Sequence, residues 1–145
     1  MNATTGSAAA RISVQHVRKV FSLAGGDFVA LNDVSLDIAD NEFVTVVGPS
    51  GCGKSTLMNI LAGLETPTAG LALVGGKQVD KPGPDRGMIF QQYALFPWLT
   101  VRQNVEFGLK TARVPRVERR ERAQHFIDLV GLDQFADALP KMLSG

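Results

Sequence analysis

Residues 44–57 read VTVVGPSGCGKSTL, in which an apolar run leads into a glycine-rich turn and then a helical pattern. The pattern G-x-x-x-x-G-K-[ST] is filled at every fixed position, by Gly48, Gly53, Lys54 and Ser55. Glycines allow successive backbone amides to converge on an anion, and the start of the following helix adds partial positive charge. The stretch therefore predicts a site for the phosphates of a nucleoside triphosphate.

The predicted phosphate loop runs from Gly48 to Thr56. Its predicted binding residues are Gly48, Pro49, Ser50, Gly51, Cys52, Gly53, Lys54, Ser55 and Thr56. We expect the Lys54 ammonium to reach the β- and γ-phosphates and the Ser55 hydroxyl to coordinate Mg²⁺. The alternative is a chance turn rich in glycine and serine, which the complete match of fixed positions disfavours.

Length and composition favour one globular domain and exclude several classes of protein. The chain has 145 residues, 45% of them hydrophobic, and a formal net charge of +1, which gives no reason to expect nucleic-acid binding. Cys52 is the single cysteine, so no internal disulfide forms. No apolar run approaches the roughly 18–20 residues of a membrane span, and residues 1–11 predict a disordered tail without the features of a secretory signal. Membrane attachment would therefore require a partner.

Residues 12–92 predict an α/β core with an antiparallel β portion. Alternating or continuous apolar patterns favour strands, and apolar residues at helical spacing after the loop favour one helix. The predicted strands cover 12–21, 28–31, 34–38, 43–47, 71–74, 77–79 and 87–90, and the predicted helix covers 54–64. The run 43–47 is continuously apolar, as in a central strand that is buried on both faces.

Residues 93–145 predict a helical subdomain. Thr100 is placed to cap a helix that ends near Gly108, and Pro115 precedes a second helix that ends at Gly131. A short helix is predicted over 133–139. The segment 93–99 between the core and these helices is aromatic and apolar without a clear period.

The chain resembles the nucleotide-binding subunit of ABC transporters from about Ile12 to its last residue. Residues 48–56 look like the Walker A loop of that family, and residues 88–97 look like its Q-loop, with Gln91 at the glutamine position. Phe21 falls where the family places an aromatic that stacks on adenine. Residues 143–145, Leu-Ser-Gly, look like the beginning of its L-S-G-G-Q signature.

The resemblance implies a P-loop NTPase fold, with an antiparallel β portion and an inserted helical subdomain, that binds ATP and Mg²⁺. It assigns Lys54 and Gln91 to catalysis, Ser55 and Gln91 to the metal, and Phe21 to the base. Two alternatives stay open: Gln91 as a surface residue with Gln92 in its place, and Phe21 as an ordinary core aromatic.

The resemblance also implies partners. The sequence around Gln91 is similar to that of the importer branch that serves nitrate, sulfonate and taurine uptake. A membrane permease would contact the Q-loop and the helical subdomain, including aromatic residues of 93–99. A second ATP-binding subunit would complete a dimer, a solute-binding protein would act indirectly, and the chain would lie on the cytoplasmic side of the membrane.

The 145 residues end inside the signature, and the family's Walker B aspartate, catalytic glutamate and switch histidine have no counterpart in them. His125 precedes the signature and does not replace the switch histidine. The resemblance therefore implies a truncated form or fragment that lacks the C-terminal half of the core and hydrolyses ATP very slowly on its own. Two alternatives are a non-hydrolytic module that docks on a permease or a sibling ATPase, and a soluble P-loop kinase or GTPase, which the Q-loop disfavours.

Overall fold

The computed structural model describes residues 10–92 and 94–143. They form two compact units, the first extending to Ile89 and the second beginning at Phe90. The division predicted between residues 92 and 93 stays a prediction, as does most of the predicted tail, because residues 1–9 lie outside the described part. Among the described residues, no helix has the length and apolar character that crossing a bilayer requires.

A four-stranded antiparallel sheet forms the frame of the first unit. Its strands are β1 (Ile12–Leu23), β2 (Gly26–Ile38), β3 (Ala69–Val74) and β4 (Lys77–Gln78), in the spatial order β2-β1-β3-β4. The predicted antiparallel β portion is therefore present. The two stretches predicted at 28–31 and 34–38 are one strand, because bulges in the β1–β2 ladder carry the chain through the polar residues between them.

Two bulge residues face each other across β1 and β2. His16 and Asp33 both adopt positive φ, at 50° and 57°, which is uncommon for residues with a Cβ. Their side chains meet, with His16 Nδ1 lying 2.8 Å from Asp33 Oδ1. Both side chains are exposed, so the pair adds little stability by itself and serves mainly to fix the local bend.

Helix α1 (Lys54–Ala62) packs on the sheet through Leu57 and Ile60. The core between helix and sheet consists of Val14, Val17, Leu31, Leu57, Ile60, Ala72, Val74 and Val79. The helix ends two residues before the predicted Leu64 because Gly63 takes a left-handed conformation with φ of 76°. Its amide then donates to carbonyls of the last turn, as in a glycine C-cap.

Two predicted strands, 43–47 and 87–90, are not formed. Both segments lack regular secondary structure and join no ladder with the described residues. Phe43 is 92% exposed and Ile89 is 99% exposed, although both belong to apolar runs. An apolar run becomes a strand only where neighbouring strands accept and donate its backbone hydrogen bonds, and the described sheet offers none here.

Helices α2 (Val101–Thr111) and α3 (Arg116–Leu129) form the second unit. The predicted cap is confirmed: Thr100 accepts from the Gln103 amide, and the Gln103 side chain accepts in return from the Thr100 amide. Helix α2 continues past the predicted end near Gly108 to Thr111. The helix predicted over 133–139 is replaced by two short 3₁₀ turns at Asp133–Phe135 and Pro140–Met142.

The core of the second unit is small and includes Val101, Ile127 and Ala136. Helices α2 and α3 are also joined by an ion pair between Glu106 and Arg119, at 3.1 Å and largely shielded from solvent. Near the end of α3, Ile127 is buried in this core whereas Phe126 and Val130 are exposed.

Replacing Phe43 and Ile89 together by lysine is expected to reduce self-association of the chain without lowering its melting temperature. Both side chains are exposed, and an exposed apolar segment outside the sheet can pair with the same segment of another chain. Added positive charge opposes this pairing. Light scattering and size-exclusion chromatography measure the change.

The matched control replaces Val117 and Leu129 by lysine; both are apolar and more than two-thirds exposed but lie in the hydrogen-bonded helix α3. Equal loss of self-association in the two double variants would show a general charge effect and contradict this explanation.

Candidate functional site

The predicted phosphate loop is held against β2 by its last glycine. Gly53 has φ of 93° and directly precedes α1. A Cβ placed there would lie 2.4 Å from the Ala30 carbonyl oxygen and 2.7 Å from Leu31 Cδ2. Only glycine permits both this φ and this approach, so β2 forms a rigid support behind the turn. Gly51, with φ of 81°, supplies the preceding bend.

The Lys54 side chain folds back into the loop. Its Nζ donates to the carbonyl oxygens of Gly48 and Pro49, at 2.7 Å each, and lies 3.5 Å from Cys52 Sγ. The cation is therefore placed inside the curve of the loop and not in bulk solvent. A Cβ at Gly48 would lie 2.7 Å from Cys52 Sγ, so glycine keeps this curve tight.

The start of α1 presents backbone donors beside this cation. The first hydrogen bond of the helix is from the Leu57 amide to the Gly53 carbonyl, at 2.9 Å, and no side chain caps the end. The amides of Lys54, Ser55 and Thr56 therefore have no acceptor within the helix. Such a helix start with an adjacent cation has the chemistry that binds a phosphate group.

The remaining loop residues are distributed around this start. Ser55 is exposed and Thr56 is half-buried, while Pro49 and Ser50 lie exposed on the outer side of the turn. The Ser55 hydroxyl is a neutral oxygen ligand of the kind that Mg²⁺ accepts, next to the donors expected to hold phosphate oxygens. The donor set of this loop therefore fits both groups that the sequence predicts.

Phe21 lies near the end of β1 and pairs in register with Phe28 of β2. It is half-buried, and its ring lies beside the Lys19 ammonium, which donates to Glu65 and to the Thr66 carbonyl just after α1. The predicted base platform therefore belongs to the same unit as the predicted phosphate loop, and its contact with the base stays a prediction.

Gln91 belongs to the second unit and is exposed in an irregular segment, as is its neighbour Gln92. Its predicted contact with Mg²⁺ stays a prediction. The strand expected immediately before it is absent, as described above. Of the partial signature, Leu143 is half-buried against the core of the second unit. Ser144 and Gly145 lie outside the described residues.

Asn104 organises the aromatic segment that follows Gln92. Its Oδ1 accepts from the Phe96 amide at 2.9 Å, and its Nδ2 donates to the carbonyls of Phe96, Leu99 and Thr100 at 3.0–3.2 Å. The sequence interpretation missed this residue. The available signal was an asparagine inside a helical pattern four residues after its cap, where it would otherwise be unfavourable.

This anchored segment presents a cluster of aromatic rings. The Phe96 ring lies 4.4 Å from that of Phe107 and 5.6 Å from that of Trp98, by centroids. Trp98 is 71% exposed, so a large apolar surface is held toward solvent by a fixed backbone. Tyr93, which the sequence interpretation grouped with these residues, lies outside the described part of the chain.

Comparison with known proteins gives consistent matches. A family model described as ABC transporter matches residues 31–145. A provisionally named ATP-binding protein of Brucella abortus is 70% identical over 83% of this chain and 46% of its own length. The nitrate import ATP-binding protein NrtD of Synechocystis sp. is 49% identical over 92% of this chain and 50% of its own length. The chain thus spans about half the length of the curated relatives it matches.

Solved structures match as well. The ATP-binding cassette MJ0796, as a dimer in a post-hydrolysis state bound to ADP and Pi, superposes with a TM-score of 0.80 at 33% identity. The match covers 92% of this chain and 63% of that one. A second dimeric structure of the same cassette gives a TM-score of 0.82 at 34% identity. The predicted α/β cassette fold with its antiparallel sheet is confirmed.

Replacing Asn104 by leucine is expected to destabilise the second unit by about 1–3 kcal/mol, because several half-buried backbone groups would lose their partner. The helical signal in a urea titration measures this loss. Trp98 is the only tryptophan, so its fluorescence anisotropy should fall as the segment loosens.

Asn104→Asp is the matched variant: it retains the acceptor for the Phe96 amide but sets a carboxylate oxygen against the three carbonyls, so it should destabilise the unit at least as much as leucine. A leucine variant with unchanged Trp98 anisotropy would show that Asn104 does not hold the segment.

Proposed function

The chain belongs to the ABC transporter family, and we propose that it supplies the ATP-binding half-site of an importer ATPase. The observation that carries this proposal is the Lys54 ammonium inside the curve of the loop, beside the uncapped start of α1. A cation and several backbone donors converge there, and no carboxylate of residues 10–92 or 94–143 forms an ion pair with the cation. This arrangement suits the triphosphate of ATP better than any neutral ligand.

Binding of the triphosphate would use donors that are already in place. The amides of Lys54, Ser55 and Thr56 would donate to phosphate oxygens, and Lys54 would exchange its two carbonyl acceptors for phosphate oxygens. Because Gly53 is seated on β2, the helix start does not have to move to receive them. Preorganised donors of this kind are the main contribution of a protein to phosphoryl transfer.

Mg²⁺ would be held by the Ser55 hydroxyl together with phosphate oxygens, and the Gln91 amide oxygen would be a further ligand. When bound, the ion neutralises charge that builds up on the phosphate oxygens. In this chain, Ser55 would provide a ligand at the helix start, and the role of Gln91 is the one that the resemblance to the family implies.

The adenine base would stack on Phe21. Phe21 is half-buried near the end of β1, so part of it is open to a ligand, as a stacking platform requires. This placement favours the base platform over the alternative of a buried core aromatic, because the ring is only half-buried.

The partner of the second unit would be a membrane permease. Phe96, Trp98 and Phe107 form an anchored aromatic cluster, and such a surface suits an apolar face of a short helix. A second ATP-binding subunit would pair with this one, in keeping with the dimeric MJ0796 cassettes. The chain would then act at the cytoplasmic face of the membrane, and a solute-binding protein would meet the permease.

The transported solute would be a small oxyanion or related anion. Similar proteins are named for nitrate import and for bicarbonate transport. These names support an importer of the class that also serves sulfonates and taurine. The solute would be selected by the permease and the solute-binding protein, since the site residues proposed for this chain would all bind the nucleotide or its Mg²⁺.

Replacing Lys54 by alanine is expected to weaken ATP binding by at least tenfold, because the loop loses its only cation. Equilibrium dialysis with labelled ATP measures the affinity. Ser55→Ala is expected to leave metal-free ATP binding nearly unchanged while removing most of the gain in affinity that Mg²⁺ confers.

Lys77→Ala is the matched control, since Lys77 is an exposed lysine at the edge of the same sheet, on β4. ATP binding that survives Lys54→Ala, or that falls equally in Lys77→Ala, would overturn the proposed site.

The aromatic cluster gives a separate prediction for the permease. Trp98→Glu should abolish recovery of the chain with the membrane fraction of its host while leaving ATP binding unchanged, because charge opposes apolar docking. Leu129→Glu changes an equally exposed apolar residue on α3 and should be recovered normally. Equal behaviour of the two variants would argue against docking through the cluster.

A further inference from the structure

Lys19 is held by three neighbours that the phosphate chemistry does not use. Its Nζ lies 2.5 Å from Glu65 Oε1 and 2.8 Å from the Thr66 carbonyl oxygen, to both of which it donates. The same nitrogen lies 4.9 Å from the centre of the Phe21 ring. The Lys19 side chain is only 12% exposed, so it is confined to this position.

The position of Lys19 joins the predicted base platform to the segment that follows α1. Lys19 and Phe21 lie two residues apart on β1, and the Lys19 ammonium lies against the Phe21 ring. Glu65 and Thr66 follow the end of α1, whose first residues belong to the phosphate loop. One ammonium group therefore ties the ring to the chain just beyond the helix that begins at this loop.

A cation against an aromatic ring is attracted by the negative charge of the ring face, and the attraction is stronger where water is excluded. Here the cation is anchored by a carboxylate and a carbonyl, so it restrains the ring and not the reverse. An ion pair between β1 and the segment after α1 could form without the Phe21 ring beside the ammonium. A purely structural ion pair therefore does not explain why the ring lies 4.9 Å from the Lys19 nitrogen.

We propose that Lys19 is a positioning residue for the nucleotide base. It fixes the plane of the Phe21 ring before the nucleotide binds, so that stacking of adenine costs no further ordering of the ring. The inference rests on the proposed function, in which Phe21 receives the base. It differs from that function in assigning base affinity to a residue that touches neither base nor phosphate.

The test compares two ligands that share the phosphates and differ in the base. Affinities for ATP and for inorganic tripolyphosphate are measured on the full chain and on Lys19→Met, which keeps the length and apolar stem of the side chain. ATP affinity is expected to fall about two- to fivefold, and tripolyphosphate affinity is expected to stay constant. Lys19→Arg retains a cation and should restore ATP affinity.

A double-variant cycle sharpens the result. Phe21→Leu should lower ATP affinity without changing tripolyphosphate affinity, and adding Lys19→Met to it should have no further effect. Lys77→Met is the matched control, because it removes an exposed positive charge from the same sheet. If Lys19→Met does not give a cooperative thermal transition, Glu65→Gln loosens the same ammonium and carries the same comparison.

An equal fall in ATP and tripolyphosphate affinity in Lys19→Met would overturn the role of Lys19 and indicate a general electrostatic or folding effect. Additive losses of ATP affinity in the Lys19→Met and Phe21→Leu double variant would overturn it as well. Unchanged ATP affinity in a folded Lys19→Met chain would overturn it as well. A chain that binds neither ligand before any substitution, or binds both after Lys54→Ala, would instead show that the proposed function is wrong.

Discussion

The close contact between Gly53 and β2 is the constraint on which the site depends. With the Ala30 carbonyl and the Leu31 side chain so near, the chain has room for no side chain at this point. The turn is therefore set by the strand behind it, and α1 begins in a fixed direction. Because α1 packs through Leu57 and Ile60 on the same sheet, the first amides of the helix are fixed relative to β2. The loop proposed to bind phosphate is thus positioned by the packing of one helix on one sheet.

Local patterns were sufficient where local interactions decide the structure. The loop and the start of α1 followed from residue types whose backbone preferences leave few alternatives. The cap at Thr100 followed from side chains that satisfy backbone groups within one turn. The strands predicted at 71–74 and 77–79 correspond to β3 and β4, which pair through a turn at Gly75 and Gly76, both with positive φ.

Local sequence patterns did not predict the features that depend on contacts between residues far apart in the sequence. The runs containing Phe43 and Ile89 were predicted as buried strands, but a strand is defined by its neighbours, which periodicity does not reveal. Lys19 was missed because its importance comes from Glu65, Thr66 and Phe21, which only the fold brings together. Asn104 was missed because asparagine has a low helix propensity and gives no signal of its own in a helical pattern. Its four hydrogen bonds form only because the preceding segment folds back onto it.

The two carbonyl groups that accept from Lys54 have a consequence for affinity. In this conformation the lysine is already paired with Gly48 and Pro49, so these two carbonyls would compete with a phosphate for the ammonium. If the loop binds phosphate as proposed, the phosphate gains the ammonium only after those two bonds are broken, and the affinity is lowered by their stability. The contacts that place the lysine in the loop would therefore also oppose binding of the anion.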